Sequence, residues 1–245
     1  MTVSIIEQSI VKHYNDCYPR ECCGLIFNDS YHPCRNISPY DSQFEIDPKD
    51  WVRCSKLGKI KTIVHSHPDG STEPSMVDRV EMQHHGLPWM ITNGSQFSTH
   101  HPKDYKAPLL GRDYFHGIMD CYTLIKDYYF RELDLTLNDY KRADKWWELK
   151  EADSLYLDNF KKEGFVEVEN LQKHDVILCR LGRTEHVNHA CIFIGEGDLI
   201  SEDSPKVIGD SLILHHPYNR PSLREVYGQM WQNRAHVIVR HKTLL

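Results

Sequence analysis

Residues 100–114, HHPKDYKAPLLGRDY, set the first limit on the fold. The segment is polar and proline-containing, and it shows neither a two-residue nor a 3.6-residue apolar period. No helix or strand of ordinary length is expected to cross it. It divides the 245 residues into two parts, each long enough for a core of its own. In each part a helix-like stretch precedes the strands, which predicts two α+β domains, 1–103 and 108–245.

Apolar positions Ile5, Ile6, Ile10 and Val11 predict an opening helix. CCGLIF (22–27) and KTIVHSHP (61–68) read as strands, the second broken at Pro68-Asp69-Gly70. SMVDRVEMQHHG reads as a helix ended by Gly86, and PWMITNG as a further strand. Beyond the divide, DCYTLIKDYYFREL (120–133) predicts a helix with Asp120 as N-cap. KWWELKEADSLYLDNFKKEGF reads as helical for much of its length. DVILCRL, HACIFIG, SLILHH and AHVIVRH follow as strands.

Composition narrows the function classes. A hydrophobic share of 40% with 26% charged residues describes a globular chain. No apolar run reaches membrane-spanning length. The first twenty residues lack a basic start followed by an apolar core, so synthesis in a cytoplasm without a secretory signal is expected. A net charge of −6 leaves no basic footprint for nucleic acid. None of the eight cysteines forms a C-x-x-C pair, which argues against a cysteine zinc ribbon and for mostly free thiols.

The stretch HSHPDGSTEPSMVD (65–78) carries the first constellation. Residues i and i+2 of a strand share a face, so His65 and His67 offer two imidazoles to one metal. Asp78, arriving from the next helix, would add a carboxylate. Two nitrogens, one oxygen and an open position make the donor set of a catalytic zinc. Glu21 is a candidate general base, and Ser75 a candidate hydrogen-bond donor to a developing oxyanion. Ser75 and Asp78 are equally an S-x-x-D capping signature at a helix start, and one H-x-H arises readily among sixteen histidines. The full set, PRECCGLIF, then H-S-H, seven residues beginning with Pro68, and S-x-x-D, resembles the JAMM motif of the MPN-domain metallopeptidases. That resemblance implies a mixed-sheet domain with zinc on His65, His67 and Asp78. It also implies Glu21 as general base, with Ser75 supporting the oxyanion.

The second constellation is Cys121, His189 and a third group. Cys121 follows Asp120 at a helix start, where partial positive charge favours the thiolate. His189 opens an apolar strand and would be the base, with another polar group orienting its ring. An ordinary buried cysteine and an inert strand-edge histidine are the plainer readings. GRDYFHGIMDCYTLI, LQKHDVILCRL and NHACIFIGEG together resemble the NlpC-type papain-like cysteine peptidases, which cut peptidoglycan stem peptides. The resemblance implies Cys121 as nucleophile, His189 as base, Tyr114 near the thiolate and a small antiparallel sheet. The family's third position falls on Ser201, where SEDSPKVIGD reads as an insertion. The third role is therefore assigned to His215, with His216 as alternative. His174 stands where relatives carry a turn glycine.

The succession of the two domains is similar to the tail-tip assembly proteins of lambda-like phages. It implies a protein made in the host cytoplasm and placed at the virion tail tip, acting in the periplasm if it enters with the tail. Its implied partners are peptidoglycan stem peptides and other tail-tip proteins. A structural assembly factor whose zinc domain processes another tail protein is the competing reading.

Overall fold

A computed structural model describes residues 4–68, 70–149 and 154–245. The chain separates into two compact units, Met1–Lys106 and Ala107–Leu245.

The first unit opens with α1 (Ile5–Cys17), started by a reciprocal Ser4/Glu7 capping box. Strands β1 (Cys23–Phe27) and β2 (Ser30–Cys34) form a hairpin. Its two turn residues, Asn28 and Asp29, both take positive φ, as a tight turn matching the strand twist requires. Next come α2 (Pro48–Leu57), β3 (Thr62–Ser66), α3 (Met76–His85), β4 (Trp89–Thr92) and β5 (Phe97–His100). The sheet order is β2-β1-β3-β4-β5, antiparallel except for the β3–β4 pair, whose parallel crossover contains α3.

All five residues of β1 are buried because both sheet faces are covered. Cys23, Leu25 and Phe27 join Cys54, Ile63, Met82 and Trp89 on one face. Ile26 joins Ile10, Tyr31 and Val64 on the other. His65 shares the parity of Ile63, so it faces the side that carries α3.

The second unit starts its regular structure with α4 (Cys121–Leu133), followed by α5 (Leu155–Asn159) and β6 (Phe165–Glu167). Then come β7 (Val176–Cys179), β8 (His189–Gly195), β9 (Leu212–His215), β10 (Leu223–Val226), α6 (Gln229–Gln232) and β11 (Ala235–His241). All pairings in the sheet β10-β9-β8-β7-β11-β6 are antiparallel. α4 covers one face through Leu124, Ile125 and Tyr128 against Leu178, Ala190, Ile192 and Leu214. Trp231 closes over Ile177, Cys179, Cys191 and Ile213 on the other.

The α+β class, the mixed first sheet and the antiparallel second sheet agree with expectation. The long helix expected from KWWELKEADSLYLDNFKKEGF does not form. Lys145 sits at a left-handed φ of 55°, only a single 3-10 turn covers Trp146–Glu148, and Ser154 caps a new short helix. Residues 150–153 lie outside the described residues. β5 ends at His100, inside the segment read as aperiodic. His174 takes φ 78°, the left-handed geometry a turn glycine would supply, and Tyr128 Oη holds its ring at Nδ1 (2.8 Å). All eight cysteines are free. Among the described residues no helix is long and apolar enough to cross a membrane.

Candidate active sites

In the first unit, His65 near the end of β3 and His67 just past it converge with Asp78 from the first turn of α3. His65 Nε2 lies 3.0 Å from His67 Nε2 and 3.4 Å from Asp78 Oδ1. His67 Nε2 lies 3.2 Å from Asp78 Oδ2. Ligands held at ~2.0–2.1 Å around a tetrahedral ion stand about 3.3 Å from one another. The three donors therefore fit zinc without rearrangement. His67 Nδ1 bonds the Ser71 carbonyl at 2.8 Å, which puts the proton on Nδ1 and leaves Nε2 to ligate. Phe44 stacks on the His65 ring at 4.5 Å and Trp89 meets it edge-on. Burial would raise the Asp78 carboxyl, but hydrogen bonds from both histidines and Ser75 outweigh it and hold the group well below the usual carboxylate range.

The capping box of Ser75 and Asp78 forms and is compatible with the expected ligand geometry of Asp78. Ser75 Oγ accepts from the Asp78 N–H at 3.2 Å, and Ser75 N–H donates to Asp78 Oδ2 at 2.7 Å. That reciprocal box aims the carboxylate while its oxygens still face the imidazoles. Ser75 itself is exposed, and its side chain also hydrogen-bonds the Asp78 carboxylate. Glu21 reaches the site through sheet register. Cys23 pairs with His65, and Ser66 N–H donates to Cys22 O at 3.1 Å. Continuing that antiparallel register sets Glu21 opposite His67. Burial pushes its carboxyl up to about 8, with His67 opposing and Asp78 adding to the rise.

In the second unit, Asp120 caps α4 through the N–H groups of Tyr122 and Thr123, and Cys121 occupies the first helical position. The buried pair Arg142–Asp120, at 2.6 and 2.8 Å, locks that cap. The Cys121 thiol does not stand as the ready thiolate expected of a helix start. Burial pushes it up to about 11 and the Asp120 charge adds, while Tyr156, Arg142 and the Ala190 N–H pull the other way. Desolvation of a thiolate exceeds what half a helix-end charge returns. Cys121 Sγ bonds Tyr156 Oη at 3.0 Å, and no hydrogen bond joins it to His189. The Ala190 N–H contact sets the sulfur beside the first residues of β8.

His189 Nε2 instead meets His215 Nδ1 at 3.2 Å. Behind it, His215 Nε2 lies 3.4 Å from Glu225 Oε2, which also accepts the Trp231 indole N–H at 3.0 Å. Burial lowers His189 to about 3, with His215 and His216 contributing, so its ring is neutral at ordinary pH. His216 lies on the opposite side of the strand, edge-on to Tyr114 and near the backbone of Arg112 and Asp120. Of the two alternatives, only His215 touches His189. Ser201 lies outside β9, and its carbonyl accepts from Arg131. Tyr114 is raised by burial first and by Cys121 second, and its hydroxyl bonds His116 Nδ1 at 3.1 Å.

Three residues of this arrangement escaped sequence reasoning. Tyr156 lies 35 positions from Cys121 on a short helix, and no spacing links them. Glu225 and Trp231 lie in LREVYGQMW, where strand alternation gives them no distinguishing signal.

Comparisons with known proteins cover both units. A family profile described as prokaryotic homologs of the JAB domain matches residues 4–106, and the NlpC/P60 family matches residues 111–240. The chain is similar to "Tail tip assembly protein K" of Escherichia phage N15, with 34% identity over 96% of this chain and 93% of that protein. It is also similar to "Tail tip assembly protein K" of Escherichia phage lambda, with 35% identity over 80% of this chain and 89% of that one.

Proposed function

Because the chain belongs to the tail tip assembly proteins of lambda-like phages, joining a JAB-type domain to an NlpC/P60 domain, we propose that it is a tail-tip peptidase that cuts peptidoglycan stem peptides. Cys121 is the nucleophile, His189 the base and His215 the orienting group. The observation that carries this reading is the His189–His215 contact at 3.2 Å with Glu225 behind it.

Each ring sets the tautomer of the next. Glu225 favours the proton on His215 Nε2, which leaves Nδ1 to accept from His189 Nε2–H. His189 Nδ1 then carries the lone pair that takes the Cys121 proton. The sulfur turns from Tyr156 toward that nitrogen as substrate displaces water. The thiolate attacks the scissile carbonyl, His189 returns the proton to the leaving amine, and water resolves the acyl-enzyme.

The first unit acts as a zinc-dependent peptidase or isopeptidase in the same reading. His65, His67 and Asp78 would hold the zinc, which when bound would supply Lewis-acid chemistry and lower the pKa of water at its open position. Glu21 takes the proton and the Ser75 hydroxyl supports the oxyanion. The alternative, a structural tail-tip factor whose zinc domain alone is active, draws on the word "assembly" in the relatives' names. In either case the chain is made in the host cytoplasm and carried at the virion tail tip, and the wall-cutting reading adds action in the periplasm.

Gram-negative peptidoglycan fragments are incubated with the purified protein, with and without a zinc chelator, and analysed by mass spectrometry. Cleavage is expected to survive chelation and to vanish in Cys121→Ser. Absence of cleavage by the wild type rejects the wall-peptidase reading. Processing of a co-expressed tail protein that stops with Glu21→Ala then favours the alternative.

A further inference from the structure

Three adjacent strands of the second unit carry four metal-ligating side chains on one face. Antiparallel register sets Cys179 of β7 opposite His189 of β8, and Cys191 of β8 opposite His215 of β9. Residues two apart share a face, so all four stand on the side away from α4. Trp231 covers them, stacking on His189 at 5.9 Å and meeting His215 edge-on at 4.7 Å. One ligating atom each of His189, Cys191 and His215 lies within 4.8 Å of the others. The Cys179 thiol adjoins that of Cys191.

Around a tetrahedral ion with Zn–N of ~2.0–2.1 Å and Zn–S of ~2.3 Å, nitrogen pairs stand about 3.3 Å apart and nitrogen–sulfur pairs about 3.6 Å. The two imidazole nitrogens already meet that spacing at 3.2 Å. Glu225 behind His215 Nε2 completes the carboxylate–histidine arrangement that fixes a ligating tautomer. Thiolate and imidazole donors together select zinc over the hard divalent ions. The plainer reading treats Cys179 and Cys191 as small core residues among Ile177 and Ile213. It accounts for their burial but not for their register against the two histidines.

We propose that His189, Cys191 and His215, with Cys179 beside them, form a second zinc site, and that zinc bound there silences the cysteine peptidase. Binding breaks the Cys191 S–H bond and releases the proton to solvent, and the sulfur lone pair becomes the metal bond. Coordination through His189 Nε2 and His215 Nδ1, the pair 3.2 Å apart, moves the His189 ring proton to Nδ1 and so removes the lone pair that would take the Cys121 proton; site and catalysis exclude each other. The silencing clause rests on the wall-peptidase reading, whereas the binding clause does not.

Full-length His67→Ala protein, which lacks a ligand of the first site, is loaded with cobalt(II) and followed by absorption. The expected result is one cobalt per chain with a thiolate-to-cobalt charge-transfer band. The band should fall at least tenfold when Cys191→Ala is added and persist when Cys121→Ser is added instead. No band, or a band indifferent to Cys191, overturns the site. Loss of the band with Cys121→Ser also overturns it, since the ion then sits on the nucleophile. Circular dichroism checks folding, and His215→Asn replaces Cys191→Ala if the latter does not fold. Cleavage by His67→Ala protein is then compared in zinc-loaded and chelated states, with at least a tenfold lower rate expected under zinc. Equal rates reject silencing. No cleavage in either state rejects the wall-peptidase reading, and silencing with it, while the cobalt band still decides the site.

Discussion

Single side chains decide which atoms of the second unit can react. Tyr156 is buried and holds its proton far above the ordinary tyrosine range, so its hydroxyl, 3.0 Å from the Cys121 sulfur, can donate to the thiolate once that forms. A donor favours the thiolate over the thiol. Tyr156→Phe keeps the ring and removes that donor. It is expected to move the midpoint of thiol alkylation to higher pH. It should also lower kcat by about tenfold with KM little changed, equivalent to about 1.4 kcal/mol. An unmoved alkylation profile would reduce Tyr156 to packing. His174 tests backbone strain in the same unit. At φ 78°, glycine relieves the left-handed penalty and alanine keeps it while losing the Tyr128 bond. The melting temperature of His174→Gly is therefore expected to exceed that of His174→Ala, and the reverse order would show that strain is not what matters there.

At the scale of elements, helix starts place the reactive groups. α3 begins at Ser75 and α4 at Asp120, and each cap also touches a site. Ser75→Ala is expected to cost about 1 kcal/mol of stability. It should also weaken zinc binding, because Asp78 loses its bonds to the Ser75 side chain and keeps only the one from the residue 75 N–H; an unchanged zinc affinity in a competition titration would separate cap from site. Arg142→Leu strands the buried Asp120 carboxylate and is expected to cost about 3–5 kcal/mol in denaturant unfolding. The folded Asp120 carboxyl lies below the usual carboxylate range, because the Arg142 bonds and charge outweigh burial. The stabilisation from this pair is thus complete above the ordinary carboxylate range and is lost as pH falls through the lowered value. The wild type should lose its advantage over Arg142→Leu on acidification below that range. A difference constant with pH would contradict the assignment. Elements also mark the limits of pattern reading. CCGLIF is legible because a strand buried on both faces is a short, uninterrupted apolar run. β10 and the Trp146 segment are not, because their periodicity is weak and tertiary contacts decide their geometry.

At the scale of the whole molecule, each unit carries its own candidate site on its own core, and the two donor sets can be removed separately. Zinc content measured on purified protein is expected to fall by about one per chain in His67→Ala, in line with the three-donor fit to a tetrahedral ion. An unchanged content would remove His67 from the ligand set. The succession of a JAB-type and an NlpC/P60 domain was legible in the sequence alone, because the residues that carry the two resemblances stand at helix starts and strand ends, where local spacing is rigid. H-x-H on a strand, S-x-x-D at a helix start and a cysteine after an aspartate cap are short-range patterns whose geometry the backbone enforces. What only the tertiary structure decided is the company these residues keep. The thiol's contact with Tyr156, the contact of His189 with His215, the Glu225–Trp231 support and the two cysteines and two histidines on one sheet face all join residues far apart in the chain. Sheet register and burial create those contacts, and no local pattern encodes either.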